Sequence, residues 1–231
     1  MTVAVNELVS EFKRSNDDLA DWSMSVFMSL CATERDTVLF LNTLSYMEHI
    51  GSYKIMATQR ANAIDYPTLK HLNEETGHAV FFKRHAERLR EYKIDYSADA
   101  LLAPASARAY FNRLEAGMVR LFGRRANYRT IYLYMSLVVE FRAVWAYNLL
   151  QTALDHNALN ISLERLLAEE QGHLYSMARR LDGDGHYNLR TIRQLWGQER
   201  VLYIRLLGAI EKLLGESNLA MTGRSPLTQQ V

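Results

Sequence analysis

Cysteine is almost absent from this 231-residue chain. Cys31 stands alone, which excludes a disulfide framework and any metal site built from several thiolates. Proline is nearly as scarce: Pro67, Pro104 and Pro226 leave stretches of 36 and 121 residues without one. Long helices require such stretches, and folds rich in strands and turns rarely manage on so few prolines. Neither sign of charge dominates, since 27 Lys and Arg face 26 Asp and Glu for a net charge of +1. A dedicated nucleic-acid binder normally shows a clear basic excess. No apolar run approaches the length of about 18 residues that reads as a membrane span. Residues 1–12 are acidic and amphipathic rather than basic and then apolar, which is not the pattern of a secretory signal. Together these absences predict a cytoplasmic protein with neither nucleic acid nor membrane among its partners.

What is present is a globular composition, 48% hydrophobic and 23% charged, in a chain long enough to bury a sizeable core. Apolar and small residues recur at helical spacing in Val38, Leu41, Leu44, Ser45, Glu48, Ser52 and Ile55. They do so again in Leu133, Leu137, Glu140, Val144, Tyr147 and Leu150. No alternating strand pattern competes, so the fold is predicted to be all-α. One or two short helices are expected within residues 3–31. Four long ones follow at residues 34–62, 67–93, 127–155 and 163–181, with another helix at 105–123 and a last at 187–214. Thr33 and Ser162 read as helix caps, Asp182-Gly183-Asp184-Gly185 and Gly215 as stops. Residues 1–215 are read as one domain and 216–231 as a polar tail.

The chemistry lies in a pattern that occurs twice. Glu48 precedes Glu75-Thr76-Gly77-His78, and Glu140 precedes Glu170-Gln171-Gly172-His173. A Glu and a His three apart share a helix face. The midpoint between Glu48 and the first Glu-x-x-His falls near residue 62, and between Glu140 and the second near residue 155, both beside predicted turns. In an antiparallel hairpin, positions equally far from the turn meet at one height. Two hairpins thus bring four carboxylates and two imidazoles to one level inside a four-helix bundle. Four buried carboxylates without counter-charge are very costly, whereas two divalent cations neutralise them. Carboxylate oxygen with imidazole nitrogen suits iron or manganese. Glu48, Glu75, His78, Glu140, Glu170 and His173 are therefore the candidate metal ligands.

In these segments the chain resembles the ferritin-like di-iron carboxylate superfamily over residues 34–182. Glu74-Glu75-Thr76-Gly77-His78 and Glu169-Glu170-Gln171-Gly172-His173 are similar to its acidic-Glu-x-x-His signatures. The segment from Ser136 to Asn148 also resembles the third bundle helix of the cyanobacterial aldehyde-deformylating oxygenases. The resemblance implies a ferritin-like four-helix bundle with additional N-terminal and C-terminal helices. It also implies a cofactor of two iron ions, or manganese in their place. Glu75 and Glu170 would bridge the metals or lie close to both, His78 and His173 would cap one each, and Glu48 and Glu140 would complete the shell.

The activity so implied is that of a non-haem di-iron oxidoreductase reacting with dioxygen or peroxide. An oxygenase or oxidase acting on a small apolar organic molecule comes first, with electrons from an external donor because no flavin or nicotinamide fingerprint is present. A ferroxidase or iron-binding protein is the alternative, and a metal-free helical interaction protein the second. In that second case Leu195, Trp196, Leu202, Leu206, Ile210 and Leu213 form a homodimer seam, although they can equally cover the bundle. Small residues near the ligands, Ser45, Gly51, Ser52, Ser136, Ala143 and Val144, leave room for substrate or permit close helix packing. His71 reads first as a partly exposed histidine, with a further ligand or a partner of one as alternatives. Gly77 and Gly172 suggest close helix approach or a local bulge. Tyr46, Tyr53, Tyr147 and Trp145 read as packing or as hydrogen-bond partners of a carboxylate.

Overall fold

The structure is a computed structural model that describes residues 2–59, 64–123 and 127–222. Those residues form eight α-helices, one short 3₁₀ turn at Ala98–Ala100, and no strand among them. The helices are α1 (Thr2–Arg14), α2 (Asp17–Cys31), α3 (Glu34–Thr58), α4 (Tyr66–Arg90), α5 (Pro104–Phe122), α6 (Tyr128–His156), α7 (Glu164–Gly183) and α8 (Leu189–Thr222). Local chemistry sets most of the boundaries. Thr33 accepts from the Asp36 amide at 3.1 Å, Asp65 from Thr68 at 2.9 Å and Asn127 from Arg129 at 3.0 Å, each satisfying an otherwise orphaned N–H. Pro67 sits in the first turn of α4, where its missing N–H costs nothing. Gly185 follows α7 at φ 70° and Gly123 follows α5 at φ 79°, left-handed-side conformations that glycine adopts without a Cβ penalty.

Three expected boundaries are corrected. Gly215 does not stop the last helix: α8 continues to Thr222, so the start of the expected tail is helical and residues 223–231 lie outside those described. A single interior glycine costs only about 1 kcal/mol, too little to break a helix whose following residues tolerate the conformation. Ser162 does not occupy the cap of α7; Leu163 does, and the Ser162 hydroxyl lies 3.4 Å from the Glu164 amide. Helix α3 ends at Thr58 rather than residue 62, and residues 60–63 are outside the described set.

The four helices that carry the repeat close into a ring. α3 pairs with α4 and α6 with α7 as the two most extensive contacts, while α3 meets α6 and α4 meets α7. α6 is buried almost all round, with Thr130 through Val138 shielded in succession, as befits the central helix. The other helices wrap this ring. Phe12 of α1 stacks on Phe141 of α6 at 5.5 Å and meets Trp196 of α8 edge-on at 5.2 Å, which ties three helices together. The apolar stripe of α8 is spent within the chain: Leu195, Trp196, Leu202, Leu206 and Ile210 are all buried and Leu213 is half-buried. It covers the bundle, and the homodimer seam expected there as one alternative is not free. Among the described residues no helix is long and apolar enough to cross a membrane.

Candidate metal centre

All six residues of the repeated pattern point into the ring and are buried. Glu48 is the most exposed at 9% and Glu170 the least at 1%. They also meet. His173 Nδ1 lies 3.0 Å from Glu170 Oε2, 3.3 Å from Glu75 Oε1 and 3.5 Å from Glu140 Oε1. His78 Nδ1 lies 3.3 Å from Glu170 Oε1 and 3.8 Å from Glu75 Oε1. Glu48, Glu75 and His78 form one group whose donor atoms lie within 4.8 Å of one another; His71, Glu75, Glu140 and His173 form another. Glu75 belongs to both.

The histidines are oriented by a crossed exchange between α4 and α7. His78 Nε2 on α4 donates to Glu169 Oε2 on α7 at 3.0 Å, and His173 Nε2 on α7 donates to Glu74 Oε2 on α4 at 3.1 Å. Glu74 and Glu169 thus fix both imidazoles with Nε2 protonated and Nδ1 turned inward. This is how ligating histidines are commonly held. The inward atoms are under-satisfied. Glu75 Oε1 and His78 Nδ1 are fully buried and have no partner in hydrogen-bonding geometry. Buried acceptors in that condition fit a cation, and the donor set of carboxylate oxygen and imidazole nitrogen fits iron or manganese.

Electrostatics within the protein alone are conflicted. Burial, with the Glu75 and Glu170 charges, pushes the Glu48 carboxyl well above the ordinary carboxylate range. Burial and the Glu140 and Glu75 charges raise Glu170 to about 8. For Glu75, burial and Glu140 push upward, but the His173 and His71 imidazoles outweigh them and bring it to about 2. Burial pushes the His78 imidazole down, but the adjacent Glu170, Glu48 and Glu75 carboxylates outweigh it and raise it to about 10. Without cations, then, the cluster holds protons as substitute counter-charge.

His71 is the largest departure from expectation. It is not partly exposed but 97% shielded, at 3% exposure, because Tyr132 and Arg180 close over it. Arg180 Nη1 donates to the Tyr132 hydroxyl at 3.4 Å, the hydroxyl and His71 Nδ1 are 2.8 Å apart, and His71 Nε2 is 3.1 Å from Glu140 Oε1. Arginine can only donate. The Tyr132 hydroxyl thus links Arg180 to His71, whose Nε2–H donates to Glu140. The outer end of this link is anchored by Arg180 Nη2 on Asp65 at 3.0 Å and on Thr68 at 2.8 Å. The spacing of His71 one turn before Glu75 was visible in the sequence; the residues that bury it come from other helices.

The remaining neighbours divide. The Tyr147 hydroxyl donates to Glu48 Oε1. Tyr53 is exposed, the Tyr46 hydroxyl accepts from Arg108 at 3.0 Å, and Trp145 packs edge-on against Tyr203 at 5.7 Å. Ser45 serves close packing, donating to the Ala79 carbonyl at 2.7 Å. Ala143 lines an apolar cavity of about 100 Å³ that also touches Glu48, Glu75, Glu140 and Glu170. Gly51 and Ser136 line a smaller one of about 30 Å³ beside His71. Gly77 and Gly172 are corrected: both are ordinary helix, and a Cβ at either would meet nothing within 4 Å. Neither close helix approach nor a bulge explains them. They border clefts on the outer face of α4 and α7.

No family model, curated protein or solved structure matches the chain. The functional reading thus stands on the residues themselves.

Proposed function

We propose that the protein is a non-haem di-iron, or di-manganese, oxidoreductase that activates dioxygen or peroxide and acts on a small apolar organic substrate. One observation carries the reading: four carboxylates and two inward-turned imidazoles converge in the interior, with Glu75 Oε1 and His78 Nδ1 buried and lacking hydrogen-bond partners. Glu48, Glu75, His78, Glu140, Glu170 and His173 would hold the two cations, with Glu75 shared between them. Bound there, two Fe(II) ions would supply the electrons for reaction with dioxygen or peroxide. The chain's own groups do the rest. Glu74 and Glu169 hold the imidazoles in one tautomer, His71 donates to Glu140 Oε1 and so orients that carboxylate, and Tyr147 orients Glu48. Electrons for repeated turnover come from a separate donor.

The cavity supports an organic substrate over plain ferroxidase chemistry, which needs no apolar chamber. Its lining on α6 runs from Val139 to Leu150, eleven residue steps or about 16 Å of helix rise, in contact with the carboxylates at one side. Anaerobic loading with Fe(II), removal of free metal and iron analysis test the reading. Two irons per chain, oxidised on admission of oxygen, are expected. Retention of none, or no reaction with dioxygen or peroxide, contradicts it.

A further inference from the structure

We infer that the outer cleft between α4 and α7 binds a small phosphate monoester with an aromatic body, held by Arg84 and Arg88. The inference goes beyond the proposed function and does not rest on it, since none of the groups that would hold the anion is a candidate metal ligand. The cleft has a volume of about 410 Å³, within the range of about 300–1,000 Å³ usual for small-molecule sites. Three guanidiniums border it, those of Arg84 and Arg88 on α4 and that of Arg165 on α7. Arg165 is already matched, its Nε donating to Glu169 at 2.9 Å. Arg84 and Arg88 have no carboxylate partner among the described residues. The acids at the cleft, Glu74 and Glu169, are both engaged: Glu74 with Lys70 and His173, Glu169 with Arg165 and His78. Burial and the Arg88 charge hold His85 below its ordinary value, so it adds no charge at neutral pH.

Two unmatched guanidiniums therefore remain, one helix turn apart on one face of α4, where like charges repel. A dianion neutralises both, and guanidinium forks donate bidentately to phosphate oxygens. A carboxylate would leave one of them unmatched. The rest of the wall sets the body of the ligand. Val80 is 47% exposed and faces the same cleft as Phe81 and Leu166. The Phe81 and His85 rings lie 4.6 Å apart at 59°, so a planar ring laid against them gains aromatic contact as well as burial. Inorganic phosphate alone would leave that apolar wall in water. Gly77 supplies the room: it lines the cleft, and a Cβ there meets nothing within 4 Å. Glycine is disfavoured inside a helix, and open space for a ligand accounts for one that packing against neighbours does not.

The test is calorimetric titration of the full chain as purified with phenyl phosphate, inorganic phosphate, benzoate and phenol. It is run on the native sequence, on the double variant Arg84→Met with Arg88→Met, and on Gly77→Leu. Methionine and leucine are both good helix formers, so both variants should keep the native circular dichroism. In the native protein phenyl phosphate is expected to bind about tenfold more tightly than inorganic phosphate or benzoate, each of which lacks one of its features. Phenol should bind more weakly still. The double variant should bind phenyl phosphate about tenfold more weakly than the native chain, close to phenol. Gly77→Leu fills the cleft and should weaken phenyl phosphate by about tenfold as well, with both guanidiniums in place. Inorganic phosphate or benzoate binding as tightly as phenyl phosphate overturns the inference. So does the absence of phenyl phosphate binding, or an affinity unchanged in either folded variant, which would place the anion elsewhere on the chain.

Discussion

Glu75 Oε1 lies 3.2 Å from His71 Nε2 and 3.3 Å from His173 Nδ1 without hydrogen-bonding geometry to either. An oxygen so placed is poised for a cation rather than a proton donor. Residues in the two roles separate by mutation. Glu140→Ala or His173→Ala removes a ligand and is expected to abolish stable retention of two metals while the helical circular dichroism survives. His71→Ala removes only the donor to Glu140, so metal affinity should fall about 10–100-fold, the range for partners that orient a ligand. Competition with a chelator measures both. Equal, complete loss in His71→Ala would make His71 a ligand itself. The convergence of all six candidate ligands was legible because fixed spacing on predicted helices brings such side chains to one level. The burial of His71 was not, since it depends on Tyr132 and Arg180, 61 and 109 positions away in the chain.

At the scale of elements, α6 serves two sites at once. Glu140 faces the ring, while Arg142, about 200° around the helix, reaches Glu199 on α8. Arg142→Ala leaves a fully buried carboxylate unpaired and should destabilise the fold by about 3–5 kcal/mol, read by denaturant unfolding. The cavity beside Ala143 belongs to the same helix. Ala143→Phe is expected to fill it and block uptake of small apolar ligands while iron retention stays at two per chain; unchanged ligand uptake would place the binding space elsewhere. Helix existence and type were readable throughout, from proline spacing and apolar period. The ends were less so. Gly215 lacks the left-handed turn that makes a glycine a stop, whereas Gly185 has it at φ 70°.

For the molecule as a whole, the cluster couples stability to pH and metal. Glu170, raised from 4.5 to about 8, and His78, raised from 6.5 to about 10, both hold protons more tightly folded than unfolded. Their stabilising contributions are complete below the unfolded values and disappear as pH rises, through about 8 for Glu170 and about 10 for His78. Metal-free protein should therefore lose melting temperature between pH 6.5 and pH 10. Metal-loaded protein should melt higher and decline less over that range, because cations replace the protons as counter-charge. A metal-free melting temperature that rises over the range would contradict this. The four-helix ring, unlike the apolar cavity, followed from the doubled pattern; the cavity is bounded in part by α2, α5 and α8, whose packing no spacing in the sequence announces.

The most direct measurement is anomalous X-ray diffraction at the iron edge from crystals of Fe(II)-loaded protein. Two iron peaks are expected inside the ring, one against Glu48 and His78, the other against Glu140 and His173, with Glu75 between them. An empty ring, or iron bound only at surface carboxylates, would contradict a dinuclear centre and leave an all-helical bundle with protonated acids at its heart.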